Sequence, residues 1–174
     1  MRSASRAHLH AMFRALIGVG LPLAQMVERA SRVFCESTLA SQYATLVCGK
    51  AGKHGDVELC NAGHLPPLLV GKSDVRSIDA TGLPLGIFCS EEFSVAKAQL
   101  GKGDLLILFT DGLSEAQNLS GAELGVEPLI DLAKTGLAAS AHELVSLCMA
   151  RAAEFREGAP SRDDLSVMVI ERVG

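Results

Sequence analysis

Five consecutive apolar residues, Leu105-Leu106-Ile107-Leu108-Phe109, are followed by Thr110, Asp111 and Gly112 in the second half of this 174-residue sequence. A continuous apolar run of this length predicts a β-strand that is buried on both faces. Asp111 then lies at the tip of that strand, beside a glycine that lets the backbone or a ligand come close. Because a buried carboxylate is costly unless it is paired or binds a cation, Asp111 is a candidate functional residue.

A second acidic site, Asp163-Asp164, comes directly before the apolar run LSVMVIE at residues 165–171. Two adjacent carboxylates repel each other, and a hard divalent cation relieves that repulsion. If the two apolar strands are neighbours in one sheet, Asp111 meets Asp163 and Asp164 at one edge of it. Oxygen ligands without nearby His or Cys favour Mg²⁺ or Mn²⁺ over zinc. Taken alone, each site is also compatible with an ordinary turn or a solvated loop.

Strand-like segments fill the region between residues 43 and 100. The run YATLVCGKA (residues 43–51), the turn-forming sequence GKHGD and the run VELCNAG (residues 57–63) predict a β-hairpin. Two short runs follow, LLVG at residues 68–71 and VRSI at residues 75–78. The segment EEFSVAKAQL, residues 91–100, alternates apolar with polar side chains and predicts a half-exposed strand.

Apolar residues at helical spacing predict two helices before this region and two after it. The apolar stripe of the first helix is Leu9, Met12, Phe13, Leu16 and Ile17, and that of the second is Leu23, Met26, Val27, Ala30 and Phe34. The later helices cover roughly residues 125–134 and 141–155, and Ser140 with Glu143 predicts a capping box for the last. Helix pairs around strands joined by short turns predict one α+β domain over residues 1–174, with a mainly antiparallel sheet.

The composition narrows the possible functions. The sequence has 20 acidic and 16 basic residues, a net charge of −4, and no Lys/Arg run, so nucleic-acid binding is not expected. No uncharged run is long enough to span a bilayer, and the basic N-terminus lacks the apolar core of a targeting peptide. Five scattered cysteines without a CxxC pair predict buried free thiols in a reducing compartment, and hence a cytoplasmic protein.

Four motifs spread across nearly the whole chain occur in a characteristic order. They are NAGHLPP (residues 61–67), GLPLG (82–86), GDLLILFTDGLSEA (103–116) and DDLS (163–166). Together they resemble the metal-dependent phosphatase (PPM) superfamily, in the branch that contains the sporulation phosphatase SpoIIE and the sigma-factor-regulator phosphatases. The resemblance implies two packed, mainly antiparallel sheets flanked by helix pairs, an αββα sandwich.

The resemblance also implies an activity, the hydrolysis of phosphoserine or phosphothreonine by a metal-activated water. A two-metal site of Mg²⁺ or Mn²⁺ would bind the phosphate and lower the pKa of the water. By motif position, Asp111 and Asp163 are the implied catalytic residues and metal ligands, and Asp164 is a weaker candidate ligand. The implied substrate is a phosphorylated regulatory protein of the anti-sigma-factor-antagonist type.

The first metal motif of that family, an aspartate followed by a small residue and a glycine, has no counterpart in this sequence. We therefore expect either part of a longer phosphatase or a degenerate relative that cannot hydrolyse phosphate by itself. A non-catalytic phosphatase-like module that regulates a partner, or a fragment without independent function, is the competing hypothesis. Without the strands that carry this motif a sheet would expose an unpaired edge, so we expect a homodimer or an exchange of elements.

Three further residues have two interpretations each. His64 is expected to close a turn rather than to act as a general acid or a ligand. Arg162 either contacts a phosphate or, as is commoner, pairs with a carboxylate. Glu115 either supports the proposed metal ligands or belongs to the solvated surface.

Overall fold

The computed structural model of the chain describes residues 2–39, 42–135 and 140–174. Its elements, in chain order, are α1 (Arg2–Ile17), α2 (Leu23–Ser37), β1 (Leu46–Ala51), β2 (Asp56–Ala62), β3 (Leu68–Val70), β4 (Val75–Ser77), β5 (Ala96–Gln99), β6 (Leu105–Phe109), α3 (Asp111–Ser114), α4 (Glu127–Thr135), α5 (Ala141–Arg156) and β7 (Val167–Glu171). The described residues form two antiparallel sheets with helices, which confirms the predicted α+β class. The chain divides into two compact units, Met1–His64 with Asp79–Gln99 and Leu65–Ile78 with Leu100–Gly174.

The first unit contains a three-stranded sheet in the order β1-β2-β5. Strands β1 and β2 pair in antiparallel register from Leu46 opposite Ala62 to Ala51 opposite Val57, which confirms the predicted hairpin. Gly55, with a φ of 86°, supplies the left-handed backbone that its turn requires. Strand β5 pairs with β2 over only Ala96–Gln99, so the strand predicted for residues 91–100 is shorter than its alternating pattern suggests.

Helix α2 supplies the largest buried side chains of the first unit. All five residues of its predicted stripe are buried, and Leu23, Met26, Val27 and Phe34 form one cluster with Cys60, Ala62 and Leu85. Four of the five predicted stripe residues of α1 pack against the same cluster. The fifth, Ile17, is 67% exposed, because it is the last residue of α1 and the chain turns away after it. Burial of the two apolar stripes therefore holds both helices in the first unit.

The second unit contains a four-stranded sheet in the order β4-β3-β6-β7. Strand β6 lies between β3 and β7, and four of its five residues are buried, as its apolar sequence predicts. Strands β6 and β7 are neighbours, with Phe109 opposite Val167, which confirms their predicted adjacency. Within the described residues β7 forms an edge of the sheet, and Met168 is 57% exposed.

Helices α4 and α5 complete the core of the second unit. Leu129 and Ala133 of α4 and Leu144, Cys148 and Ala152 of α5 are buried with the strand residues. Helix α5 begins as predicted, because the Glu143 N–H donates a hydrogen bond to Ser140 Oγ over 3.3 Å. The short helix α4 begins two residues later than the predicted segment and ends one residue later.

The cysteines correct one sequence prediction. Cys35, near the end of α2, forms a disulfide with Cys89 across a Cα–Cα distance of 5.3 Å, so these two are not free thiols. Their separation of 54 residues hides the pairing from any local sequence pattern. Cys48, Cys60 and Cys148 are free, and burial raises the pKa of each thiol above its ordinary value. These three thiols therefore remain protonated at neutral pH.

The motif NAGHLPP has a structural role at its first four residues. The buried Asn61 side chain brackets the turn, since its Oδ1 accepts from the His64 N–H over 2.9 Å and its Nδ2 donates to the His64 carbonyl over 3.1 Å. These contacts support the interpretation of His64 as a turn residue. Over the described residues, the structure contains no helix with the length and apolar character needed to cross a membrane.

Candidate metal centre

A cleft in the second unit is lined by Asp111 and Asp163, the two residues that are predicted from the sequence to be metal ligands. Its volume is about 180 Å³. The residues that line it are Asp111, Gly112, Glu115, Ala116, Gln117, Arg156, Pro160, Ser161, Arg162 and Asp163. The cleft therefore brings together the start of α3, the end of α5 and the loop before β7. Asp164 does not line the cleft, so the third candidate ligand lies outside this set.

Thr110 joins the two acidic segments. Its N–H donates to the Ser166 carbonyl over 3.1 Å, which continues the β6–β7 ladder by one step. Its side-chain Oγ1 donates to the Asp164 carbonyl over 3.0 Å and accepts from the Ser166 N–H over 2.9 Å. The hydroxyl thus replaces the backbone pairing that is lost where the strand ends, and it fixes the Asp-Asp segment beside Asp111.

Gly112 allows the two segments to approach closely. A Cβ atom at this position would lie 2.5 Å from the Asp164 carbonyl oxygen and 2.8 Å from its carbonyl carbon. Real Cβ atoms essentially never come this near to backbone atoms. The glycine of the Asp-Gly motif is therefore required by packing against the Asp-Asp segment and not by an unusual φ angle.

Both cleft aspartates are exposed, and each accepts a hydrogen bond from the following backbone N–H. Asp111 Oδ1 accepts from Gly112 over 2.9 Å, and Asp163 Oδ1 accepts from Asp164 over 2.8 Å. Ser161 Oγ donates to the Asp163 carbonyl over 2.8 Å and shapes the loop. An ionised carboxylate offers about four acceptor positions, so these local bonds leave room for a cation.

The donor set fits a hard divalent cation by chemical type. Mg²⁺ is usually bound through one or two carboxylates and several waters, and Asp111 and Asp163 provide two carboxylates at one cleft. Across residues 2–39, 42–135 and 140–174, no group of three or more His, Cys, Asp or Glu side chains is placed to hold a metal ion. The described residues thus provide two aspartate ligands at the cleft, with Glu115 beside them, and not a complete protein cage.

The sequence predicts the place of only some cleft residues, and Glu115 and Arg156 are two that need the structure. Glu115 is exposed, as the solvated-surface interpretation predicts, and it also lines the cleft one helical turn after Asp111. Arg156 was not predicted, because its sequence position is that of an ordinary basic residue in the last turn of a helix. Only the path of the chain after α5, which returns towards Asp111, reveals its place in the cleft.

The comparison with known families places the chain in a family. The family model of stage II sporulation protein E (SpoIIE) matches residues 3–173. The chain belongs to the SpoIIE family. The four motifs noted in the sequence all fall within the matched residues.

Two curated relatives of this chain are from Bacillus subtilis strain 168. The phosphoserine phosphatase RsbU is 28% identical over 130 residues, which are 72% of this chain and 38% of RsbU. Stage II sporulation protein E is 28% identical over 109 residues, which are 62% of this chain and 13% of that protein. The chain therefore spans well under half the length of either relative.

Solved structures of SpoIIE-family proteins share the fold. The RsbU and RsbW domains of Rv1364c from Mycobacterium tuberculosis align with a TM-score of 0.77 and 27% identity, covering 98% of this chain and 47% of that one. The PP2C phosphatase domain of SpoIIE from Bacillus subtilis, with a fragment of its regulatory domain, aligns with a TM-score of 0.80 and 20% identity, covering 96% and 49%. The structural neighbours of the chain are thus phosphatase domains of the SpoIIE and RsbU type.

Proposed function

We propose that this chain is a Mg²⁺- or Mn²⁺-dependent protein phosphatase domain that hydrolyses phosphoserine or phosphothreonine on a regulatory protein. The observation that carries the proposal is the position of Asp111 and Asp163 on one cleft. Membership of the SpoIIE family supports the reaction class. RsbU, a phosphoserine phosphatase by name, supports the choice of substrate residue.

In this proposal Asp111 and Asp163 hold the cation, and Asp164 is a further candidate ligand. When bound there, a divalent cation would lower the pKa of a coordinated water and offset the charge of the phosphoryl group. Thr110 and Gly112 keep the two carboxylate segments at a fixed spacing, as the 3.0 Å bond to the Asp164 carbonyl indicates. The protein therefore contributes position and charge, which are its main contributions to phosphoryl transfer.

The proposed substrate is a phosphorylated protein of the anti-sigma-factor-antagonist type, and the proposed location is the cytoplasm, although a disulfide such as Cys35–Cys89 is rare in reducing compartments. A homodimer belongs to the same proposal. It is supported by β7, whose outer side has no partner strand within the described part of the chain and which exposes Met168. Light scattering at micromolar concentration should then give a mass above that of one chain, and a clean monomer would contradict the dimer.

A second candidate function is a phosphatase-like module that binds a phosphoprotein without hydrolysing it. The observation that favours it is the lack, among the described residues, of any set of three donors placed for a metal ion. Such a module would bind the phosphoprotein and compete with an active phosphatase for it. Metal-dependent turnover separates the two functions directly.

Initial rates of phosphate release from a phosphoserine peptide, with Mn²⁺ and with EDTA, test the proposed function. We expect turnover only with the metal. We expect Asp111→Asn and Asp163→Asn to reduce kcat/KM by about 100-fold or more, because a metal centre supplies several kcal/mol of transition-state stabilisation. Asp131→Asn, at an exposed position of α4 outside the cleft, is the matched control and should retain full activity. Turnover in EDTA, or equal rates in all variants, would rule the mechanism out.

A further inference from the structure

Two arginines share the cleft with the acidic residues. Arg156 is half-buried at the last position of α5, and Arg162 is exposed directly before Asp163. Both line the same cleft as Asp111. The cleft therefore contains two guanidinium groups beside carboxylates, an arrangement that ordinarily produces ion pairs.

The chain reversal after α5 places both arginines. Glu157 adopts a left-handed conformation with a φ of 50°, and Gly158 follows with a φ of 89°. The Ala159 N–H then donates to the Arg156 carbonyl over 2.8 Å, which closes the end of the helix. This tight turn directs residues 159–163 back along the end of α5, so that Arg162 joins Arg156 at the cleft.

In the part of the chain that the structure describes, no ion pair within 4.0 Å involves Arg156 or Arg162. Arg156 Nε donates to the Ala152 carbonyl over 3.4 Å, a contact that orients the side chain and uses one of its five N–H groups. By contrast Arg151, on the same helix, pairs with Glu154 over 3.0 Å. Arg156 and Arg162 therefore keep donors for another anion.

The charges of the cleft indicate what that anion is. Its three carboxylates and two guanidinium groups give a formal charge of −1. One bound divalent cation would change the formal charge of the cleft to +1. If both arginines were absent, the same cation would leave the formal charge at −1. A phosphoryl dianion is attracted in the first case and repelled in the second. The arginines thus decide the sign of the field that a phosphorylated substrate meets.

We infer that Arg156 and Arg162 bind the phosphoryl group of the substrate in this cleft. The planar fork of a guanidinium matches two phosphoryl oxygens, which a compact ammonium does not. Their role is to recognise and orient the phosphoryl group, and the water activation stays with the metal centre. The inference rests on the proposed function for its substrate, since it assigns residues to the same cleft.

Binding of a peptide that carries a non-hydrolysable phosphonate analogue of phosphoserine tests this role without turnover. Fluorescence anisotropy in Mn²⁺ would compare the wild type with Arg156→Gln and Arg162→Gln. Each substitution should raise Kd about tenfold or more, because each removes charge-assisted hydrogen bonds to the phosphoryl group. Arg156→Lys should recover only part of the affinity, since it restores the charge without the fork.

The control variant is Arg151→Gln, which removes a paired arginine on the outer surface of the same helix and should leave Kd unchanged. Mn²⁺ affinity should be the same in all variants, which distinguishes phosphoryl binding from damage to the metal centre. Unchanged Kd in both cleft variants, or a wild type that binds the unphosphorylated peptide equally well, would overturn the inference.

The outcomes also separate this inference from the proposed function. If the wild type binds the phosphonate peptide through the two arginines but releases no phosphate in Mn²⁺, the phosphatase proposal fails and the arginines remain a phosphoserine-binding pair. If Mn²⁺-dependent turnover requires Asp111 while both arginine variants keep the wild-type Kd and KM, the inference alone fails.

Discussion

Single residues determine how closely the two acidic segments approach each other. Asp111 and Asp163 could be selected from the sequence because each adjoins an apolar strand, and a hard cation favours carboxylates that such neighbouring strands bring together. Thr110 and Gly112, which connect the segments, are visible only as parts of a motif. The 2.9 Å bond from the Ser166 N–H to Thr110 Oγ1 is long-range in sequence, so no local pattern predicts it. The roles of Thr110 and Gly112 therefore follow from their positions in the fold and not from their residue types.

Gly112→Ala should destabilise the second unit and weaken the metal centre. The added Cβ would meet the Asp164 backbone at 2.5 Å, and backbone atoms cannot move aside as a flexible side chain does. Overpacking of this kind costs about 1–3 kcal/mol of unfolding free energy, measurable by urea denaturation. Gly18→Ala is the matched control, because a Cβ there meets no atom within 4 Å. Equal stability of both variants would refute the close-contact explanation.

Secondary-structure elements were predicted most accurately where one local rule applies. The β1–β2 hairpin follows from its turn residues, and the start of α5 follows from its Ser140 cap. The predicted strand at residues 91–100 shortens to β5 because pairing with β2 ends at Gln99. The edge position of β7 could not be read from its apolar sequence, since burial depends on which strands lie beside it.

Ser140→Ala should reduce the unfolding free energy by about 1 kcal/mol, since the N-cap oxygen accepts from an otherwise unpaired helix N–H. The relevant bond is the 3.3 Å contact with the Glu143 N–H. Ser146→Ala, inside the same helix, removes a hydroxyl that bonds the His142 carbonyl and should change stability much less. Chemical denaturation of both variants measures the contribution of the cap. A larger loss of unfolding free energy in Ser146→Ala than in Ser140→Ala would contradict the capping role of Ser140.

The disulfide ties the end of α2 to the segment before β5. Because Cys35 and Cys89 enclose a long loop, replacing both by Ser should lower the unfolding free energy by about 2–4 kcal/mol under oxidising conditions. In the presence of a thiol reductant, the wild type and the double variant should have nearly the same stability. Cys48→Ser, at a half-buried free thiol of the first unit, controls for the loss of a cysteine as such. If the reductant left the unfolding free energy of the wild type unchanged, the stabilising role of the disulfide would be disproved.

For the molecule as a whole, the four ordered motifs were sufficient to identify the family and the α+β class. The cleft was not predictable to the same degree, because Arg156 enters it only through the chain reversal at Glu157 and Gly158. The prediction of free thiols was wrong for Cys35 and Cys89, since compartment and spacing gave no indication of a pair 54 residues apart. The sequence thus defines the chemistry that is present, and the tertiary contacts define which groups share a site.

The most direct test is whether Asp111 and Asp163 bind one divalent cation together. Mn²⁺ is titrated into the protein, and binding is followed by calorimetry and by the loss of the free-ion electron paramagnetic resonance signal. The wild type and Asp131→Asn should bind Mn²⁺ with the same affinity. Asp111→Asn and Asp163→Asn should each weaken binding about tenfold or more, because each removes one of the two proposed aspartate ligands. Undiminished Mn²⁺ binding in both of these variants, or no binding by the wild type, would show that Asp111 and Asp163 do not form a metal centre.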